Sequence, residues 1–478
     1  MQEVLSYIDG RHVAARAWLD VFEPATGQVY ARAASSGPDE VARAVEAAGR
    51  AFPAWSATPA QARSRLLRAL ARLIERDCAK LARAESIDTG KPLAAALSLD
   101  IPRAAHNFDF FADAITQFAS EAHPADGLAL NYTLRQPLGV VACISPWNLP
   151  LYLLTWKIAP ALAAGNCVVA KPSEVTPMTA HLLGELCTEA GLPPGVLNLL
   201  QGTGPGAGAP LCAHPSVRAI SFTGSTRVGA GIAAGAARTF KKVSLELGGK
   251  NPTILFADAD LDEAIPQALR AAFSNQGQIC LCGSRILIER SIYPRVRDAL
   301  VAGARALRVG DPLEPGTGQG SLVSRAHLDK VLGCIETARA EGGVVLCGGA
   351  RAQLPGRCAG GFFVEPTLIE GLGPDARTNQ EEIFGPVATL QPFSSEDEAV
   401  ALANATRYGL AASLWTGSLG RAHRLAARLQ SGIVWVNCWM LRDLRTPFGG
   451  VKDSGVGREG GLDALRFFTE AKNICVKF

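Results

Sequence analysis

Cys280 stands in the run Phe273-Ser-Asn-Gln-Gly-Gln-Ile-Cys-Leu-Cys-Gly-Ser-Arg285, just past a polar, glycine-containing turn. Upstream, Leu261, Ile265, Leu269 and Phe273 recur at every fourth position, the spacing of one helix face. Asp260 with Glu263 resembles a capping box at its start, and Pro266 inside the pattern predicts a bend. Downstream, Arg285-Ile-Leu-Ile-Glu predicts a strand. A helix, a thiol-bearing turn and a strand would hold a nucleophile at the mouth of a cleft. Most free cysteines are small buried hydrophobes, and on this stretch alone packing is the stronger reading.

Other residues offer chemistry that a thiol nucleophile would need. In Val243-Ser-Leu-Glu-Leu-Gly-Gly, alternation puts Ser244 and Glu246 on one face and the leucines on the other. Glu246 is then either an exposed edge charge or a carboxylate set in a cleft. Lys171-Pro-Ser-Glu174 follows the apolar run Cys167-Val-Val-Ala, and Gly224-Ser-Thr-Arg-Val-Gly229 follows Ala219-Ile-Ser-Phe and opens a helix. A glycine turn at a helix N-terminus suits a pyrophosphate. Lys171 and Glu174 could hold a ribose, the carboxylate bonding its 2′-hydroxyl and repelling a 2′-phosphate, which favours NAD over NADP. No G-x-G-x-x-G follows the first strand, and Gly202-Thr-Gly204-Pro-Gly206 is a loose echo of one.

The elements that must position these groups alternate between strand and helix. Val140-Val-Ala-Cys-Ile, Cys167-Val-Val-Ala, Val196-Leu-Asn-Leu-Leu and Ala219-Ile-Ser-Phe are short apolar runs fit for buried parallel strands. Helices are predicted between them near 151–163, 177–190, 205–213 and 226–238, so 139–248 reads as a doubly wound α/β unit. Residues 1–35 alternate like small hairpins with turns at Gly10 and Gly27. From Pro38 the pattern is helical to about Glu85, then again over 93–118, where Pro102 must kink or divide it. Residues 127–136 and 473–478 alternate like exposed strands, which suggests an arm that pairs with something, another subunit among the options. The segment 250–464 reads as a second α/β unit.

Bulk properties narrow the class. With 478 residues, 48% hydrophobic and 19% charged, the chain can fill two or three domains and is not disordered. A net charge of +3 gives no argument for nucleic acid or an anionic membrane surface. The 12 cysteines are scattered, contain no C-x-x-C, and Cys280-Leu-Cys282 is too close for zinc spacing, so no metal is expected. The start lacks the pattern of a secretory signal, and the most apolar stretch, 140–170, is broken by Pro146, Asn148, Pro150, Lys157 and Pro160. A reducing, cytoplasmic protein without a membrane span is expected.

Seven segments together resemble the aldehyde dehydrogenase superfamily: Pro146-Trp-Asn148, Lys171-Pro-Ser-Glu174, Phe222-Thr-Gly-Ser225, Glu246-Leu-Gly-Gly-Lys-Asn-Pro, Gly277-Gln-Ile-Cys280, Glu381-Glu-Ile-Phe-Gly-Pro386 and Pro447-Phe-Gly-Gly450. They occur in family order nearly end to end. The resemblance implies an α/β fold in three parts: a Rossmann-like NAD-binding domain (1–120 and 139–248), a catalytic domain (249–464) and a β-strand oligomerisation arm (121–138 and 465–478), in a homodimer or homotetramer. It implies Cys280 as nucleophile, Asn148 with the Cys280 N–H as oxyanion donors, Glu246 as general base, and Lys157 near that base, where a plain structural lysine is the alternative. NAD would lie against Ile144, Ser145, Pro146, Trp147, Lys171, Ser173, Glu174, Gly204, Phe222, Gly224, Ser225, Leu247, Gly248, Glu382 and Phe384. Two departures are Leu149, where the family often has an aromatic, and Cys282, expected to pack.

The stretches 101–112 and 437–448 look like those of 2-hydroxymuconic and 2-aminomuconic semialdehyde dehydrogenases. The resemblance implies a substrate funnel lined by Arg103, Arg442 and Phe448, and guanidinium groups there suit a carboxylate. Arg442 falls at the substrate-facing position, and Arg445 beside Asp443 is expected to form a structural salt bridge.

Overall fold

A computed structural model describes every residue, Met1–Phe478. Its first large sheet runs, edge to edge, Gly455–Val456, Lys242–Glu246, Val217–Thr223, Val140–Ile144, Cys167–Lys171, Leu197–Leu199, Ser6–Ile8 and Arg11–Val13. The middle five strands are parallel. All residues of Val140–Ile144 and Cys167–Lys171 are buried, which is why these runs are apolar throughout rather than alternating. Helices Pro150–Ala163, Met178–Glu189 and Thr226–Ala237 connect them. Strand order reverses at Val140–Ile144, whose neighbours are Cys167–Lys171 on one side and Val217–Thr223 on the other. The carboxyl ends of Val140–Ile144 and Val217–Thr223 therefore flank the crevice in which doubly wound folds bind ligands.

The second sheet has seven strands, ordered Val344–Cys347, Thr367–Glu370, Val387–Phe393, Arg285–Glu289, Pro252–Leu255, Ala411–Trp415 and Ile433–Val436. All pair in parallel except the first. Helix Leu261–Phe273 packs on it, capped by one half of the expected box: the Asp260 carboxylate accepts from the N–H groups of Asp262 and Glu263, but the Glu263 side chain does not return to the Asp260 N–H. The helix runs through Pro266 without a break in assignment.

Two expectations are refined. The helical pattern from Pro38 is three helices, Pro38–Ala57, Ala60–Arg76 and Cys78–Thr89, the last closed by Gly90 in the left-handed conformation. Pro102 disturbs the next one without dividing it: the helical run is continuous from Leu93 to Ala114, and a residue with no N–H, whose ring crowds the preceding turn, breaks the regular hydrogen-bond ladder there. The irregularity sits just before it, as a π-helical turn over Ala96–Asp100. Of the N-terminal strands, Ser6–Ile8 and Arg11–Val13 extend the large sheet, while Trp18–Glu23 and Gln28–Ala34 form a hairpin. The two exposed strands distant in sequence pair with each other: Thr469–Lys477 lies antiparallel to Ala129–Pro137, which also pairs with Ala122–Ala125. No helix is long and apolar enough to cross a membrane.

Candidate active site

The turn that carries Cys280 is held in an uncommon conformation. Asn275, Gln276 and Gly277 all have positive φ, at 51°, 56° and 68°. Only the first two pay the cost of a side chain there, and Gly277 also admits a close neighbour: a Cβ on it would fall 2.0 Å from the Gly385 carbonyl oxygen. Asn251 pins the far side of the turn, its amide donating to the carbonyls of Cys280 (2.7 Å) and Cys282 (2.9 Å). Cys282 is buried among Ile279, Leu281, Trp435 and Trp439, so it packs.

Asn148 lies across from this turn. It follows strand Val140–Ile144 and precedes helix Pro150–Ala163. Its Nδ2 donates to the Gln278 carbonyl at 2.8 Å, and its buried Oδ1 has no partner. The Cys280 backbone N–H makes no hydrogen bond to the protein. Two donors thus meet beside the thiol, with spare capacity.

Glu246 ends strand Lys242–Glu246 opposite Thr223 on one side and Gly455 on the other. The short strand Gly455–Val456 covers the sheet edge, so Glu246 is a cleft carboxylate and not an edge charge; it is 4% exposed and its Oε1 has no hydrogen-bond partner. Burial and the neighbouring Glu459 hold its carboxyl well above the ordinary range, opposed by Lys157, Arg458 and Arg442. Lys157 pairs with Glu459 at 2.6 Å, and Ser221 bridges the two. Glu459 was not among the residues singled out from the sequence. It lies 302 positions from Lys157 in a glycine-flanked turn, where no periodicity marks it.

A cavity of about 250 Å³ has Cys280 and Asn148 in its wall, while Glu246 lies behind it, next to the lining residue Leu247. It brings together Pro146, Trp147, Asn148, Gly224, Ser225, Leu247, Gly248, Cys280, Glu382 and Phe384 as expected, and adds Thr223, His327 and Lys330. Both additions from helix Arg325–Ala340 sit three residues apart on one face, a spacing that could have flagged them. His327 bonds the Phe384 carbonyl (2.7 Å) and, edge to face with Trp147, forms an aromatic wall; burial pushes it down to about 4, so it is neutral. Glu382 accepts from the Gly249 N–H at 2.9 Å. Gly248 lets it come so close, since a Cβ there would meet Glu382 Oε2 at 2.5 Å. Burial, Glu382 and Glu246 all push the Cys280 thiol up, and Arg442 opposes them.

The remaining residues named from the sequence do not line this cavity. Ile144 pairs in register with Lys171 and with Phe222 at the strand ends. Lys171 Nζ lies 3.2 Å from Glu174 and also donates to the carbonyls of Pro172 and Gly202. Glu174 lines a neighbouring cavity of about 430 Å³. Ser145 and Ser173 are buried, and Gly204 opens the turn before helix Ala209–Ala213. Arg442 stacks over Phe448 at 3.9 Å and over Trp156 at 5.8 Å, and Arg103 over Tyr152 at 5.7 Å. Neither arginine has an acidic or hydrogen-bonding partner, whereas Arg445 is paired with Asp443 at 2.6 Å. Tyr152 and Trp156 are one turn apart on the helix that begins beyond Asn148, so the two free guanidinium groups rest on one helix face.

The chain is similar to known proteins over nearly its whole length. Residues 12–474 match the model of the aldehyde dehydrogenase family. The chain is 51% identical over 475 residues to 2-aminomuconic semialdehyde dehydrogenase of Bos taurus, covering 99% of this chain and 98% of that one. It is 49% identical to 2-hydroxymuconic semialdehyde dehydrogenase of Pseudomonas sp. (strain CF600), over the whole of both. The NAD+ complex of an aldehyde dehydrogenase from Bacillus cereus superposes with a TM-score of 0.97 at 40% identity, covering 100% of this chain and 97% of that one.

Proposed function

The chain belongs to the aldehyde dehydrogenase family, and on that premise we propose that it oxidises a carboxylated semialdehyde, 2-hydroxymuconic or 2-aminomuconic 6-semialdehyde, to the dicarboxylic acid with NAD as cofactor. The observation that carries the substrate is the pair of unpaired arginines, Arg103 and Arg442, resting on the rings of Tyr152 and Trp156 one turn apart on the helix beyond Asn148, with Arg442 also near enough to act on the Cys280 thiol. A free guanidinium over an aromatic ring presents its donor fork to a carboxylate. The similarity to dehydrogenases of these two semialdehydes supports the same reading.

The residues fit a dinucleotide. Gly224 and Ser225 open helix Thr226–Ala237 at one end of the cavity, and its free N–H groups suit a pyrophosphate. Glu382, brought in over Gly248, suits the hydroxyls of the nicotinamide ribose, with Phe384 and Trp147 beside the ring. Glu174 suits the hydroxyls of the other ribose and disfavours a 2′-phosphate, hence NAD over NADP. When bound, NAD supplies the hydride acceptor that turns a thiohemiacetal into a thioester.

The protein's own groups do the rest. Cys280 as thiolate attacks the aldehyde carbon. Asn148 Nδ2–H and the Cys280 N–H donate to the oxygen as it gains charge. Glu246 takes a proton from the water that hydrolyses the thioester. Its raised proton affinity suits a base, and Lys157 with Glu459 forms the buried charged surroundings that set that affinity. We assign the sheet of parallel strands to a cofactor domain (1–120, 139–248), the seven-stranded sheet to a catalytic domain (249–464), and 121–138 with 465–478 to an arm joining subunits of a homodimer or homotetramer. All 12 cysteines are unpaired, in keeping with a reducing cytoplasm.

The test is Arg442→Ala assayed with NAD on both semialdehydes and on hexanal. KM for the semialdehydes should rise about tenfold or more, the worth of a charge-assisted hydrogen bond of roughly 1.5–3 kcal/mol, with KM for hexanal little changed and any fall in kcat from a less ionised Cys280 shared by all three aldehydes. An unchanged KM for both semialdehydes removes the carboxylate anchor from the reading.

A further inference from the structure

We propose that a buried ionic triad, Glu85, Lys91 and Asp100, is the positioning device for both ends of the substrate. It sets Asn148 at the reacting end and Arg103 at the carboxylate end, and so rests on the roles given to those two residues above. Lys91 Nζ contacts Asp100 Oδ2 and lies 3.5 Å from Glu85 Oε1, and the three side chains are 0–3% exposed. Two carboxylates and one ammonium withdrawn from water are weak support for stability, because well-packed apolar residues would serve as well or better. Their value lies in what they hold.

Glu85 reaches the reacting end. Its Oε2 accepts from the N–H of Leu151 at 3.3 Å, in the first turn of helix Pro150–Ala163. A carboxylate there meets the positive end of the helix and an N–H with no partner inside it. Asn148 projects from the chain just before this turn, so the start of the helix sets where its amide points. Glu85 is itself clamped, its carbonyl accepting from Thr89 Oγ1, while Ser86 Oγ fixes the Lys91 carbonyl at 2.7 Å.

Asp100 reaches the other end. It closes the π-helical turn Ala96–Asp100 that leads directly into helix Ile101–Ala114. Such turns recur at functional sites, where they redirect the adjoining helix. Arg103 is three residues on, over the ring of Tyr152, the neighbour of Leu151. Asn107 then ties the two helices, donating to the Tyr152 carbonyl and to Thr155 Oγ1, both at 3.0 Å. Through Lys91, the helix start that aims the oxyanion donor and the π-helical turn that leads to the carboxylate anchor share one fixed point.

The test is steady-state kinetics of Glu85→Asp, Glu85→Gln and Asp100→Asn with 2-hydroxymuconic semialdehyde and with hexanal, per active site counted by Cys280 alkylation. Glu85→Asp keeps the charge but withdraws the acceptor from Leu151; kcat should fall about tenfold for both aldehydes with KM little changed. Glu85→Gln keeps an oxygen within reach and should stay within about threefold of the parent. Asp100→Asn should raise KM about fivefold for the semialdehyde only. In Asn148→Ala and Arg103→Ala backgrounds, respectively, the Glu85→Asp and Asp100→Asn effects should shrink below about twofold. Variants that change only the number of active sites, or effects that multiply fully in those backgrounds, overturn the inference. If Asn148→Ala and Arg103→Ala themselves leave kcat and KM unchanged, the functional reading fails and takes the inference with it.

Discussion

A nucleophilic thiol is surrounded here by groups that oppose its ionisation, and this has a measurable consequence. Burial, Glu382 and Glu246 raise the Cys280 thiol above its ordinary value, and Arg442 alone among its named neighbours works the other way. The thiolate forms only above a raised pKa. Alkylation of Cys280 by iodoacetamide without cofactor should therefore still be climbing with pH beyond about 8.5, the value for a free thiol. Glu382→Gln removes an anionic neighbour, lowers the pKa and moves the curve to lower pH; Arg442→Ala moves it to higher pH. A curve already level at pH about 8 in the parent protein contradicts this picture. Asn148→Ala should lower kcat about 10²–10³-fold, the usual loss for one oxyanion donor, with binding of the aldehyde little changed. At this scale the sequence was informative about identity and poor about environment. Alternation put Glu246 opposite the leucines, but whether it faced water depended on Gly455–Val456, which pairs over it from the far end of the chain. Glu459 and Lys157 meet across 302 residues, a distance over which no local pattern reaches.

At the level of elements, the turn over Asn275, Gln276 and Gly277 concentrates backbone cost where the nucleophile is aimed. Gly277→Ala combines a φ of 68° with a Cβ 2.0 Å from a carbonyl oxygen, so the turn must shift. Stability should fall by roughly 1–3 kcal/mol in urea unfolding, and activity per folded molecule should fall with it as Cys280 moves. Gly333→Ala is the matched control. Gly333 lies inside helix Arg325–Ala340 with open space around its Cβ position, so the substitution should stabilise by about 1 kcal/mol or less. Where local chemistry decides an element, the sequence announced it: Asp260 caps its helix, and the runs beginning at Val140 and Cys167 are the buried parallel strands they resembled. Where tertiary packing decides, it did not. Pro102 marks an irregularity near Ile101, but that the turn before it is π-helical and carries Asp100 to a buried contact with Lys91 has no local signal.

Across the whole molecule, the three-stranded sheet of Ala122–Ala125, Ala129–Pro137 and Thr469–Lys477 stands apart from the two large sheets. Its root is tied down: Lys242 Nζ donates to the Thr469 carbonyl and Asn166 Nδ2 to that of Phe468, both at 2.8 Å. The rest has little to pack against. Register pairs Leu130 with Val476 and Tyr132 with Ile474, and Leu134 lies on the same face by alternation. Apart from Lys472 opposite Leu134, that stretch of the face is apolar, and it is half-exposed, with Leu134 40% and Val476 46% accessible. The outer edge of the nine-residue strand Thr469–Lys477 also has no neighbour. A long unpaired edge beside an apolar face is an aggregation hazard unless something covers it, and another copy of the chain, related by symmetry, is the simplest cover. The alternating residues 127–136 and 473–478 foretold strands, and only their pairing with each other, across the whole length of the chain, defines the surface. Sedimentation velocity should therefore find the parent protein as a dimer or tetramer. Tyr132→Asp with Ile474→Asp, which puts two carboxylates opposite each other on that face, should shift the mass toward monomer. Because the substituted residues lie outside the cavity that holds Cys280, the alkylation rate of its thiol should be retained. An unchanged mass distribution, or a parent protein that sediments as a monomer, places the subunit contact elsewhere and leaves this sheet unexplained.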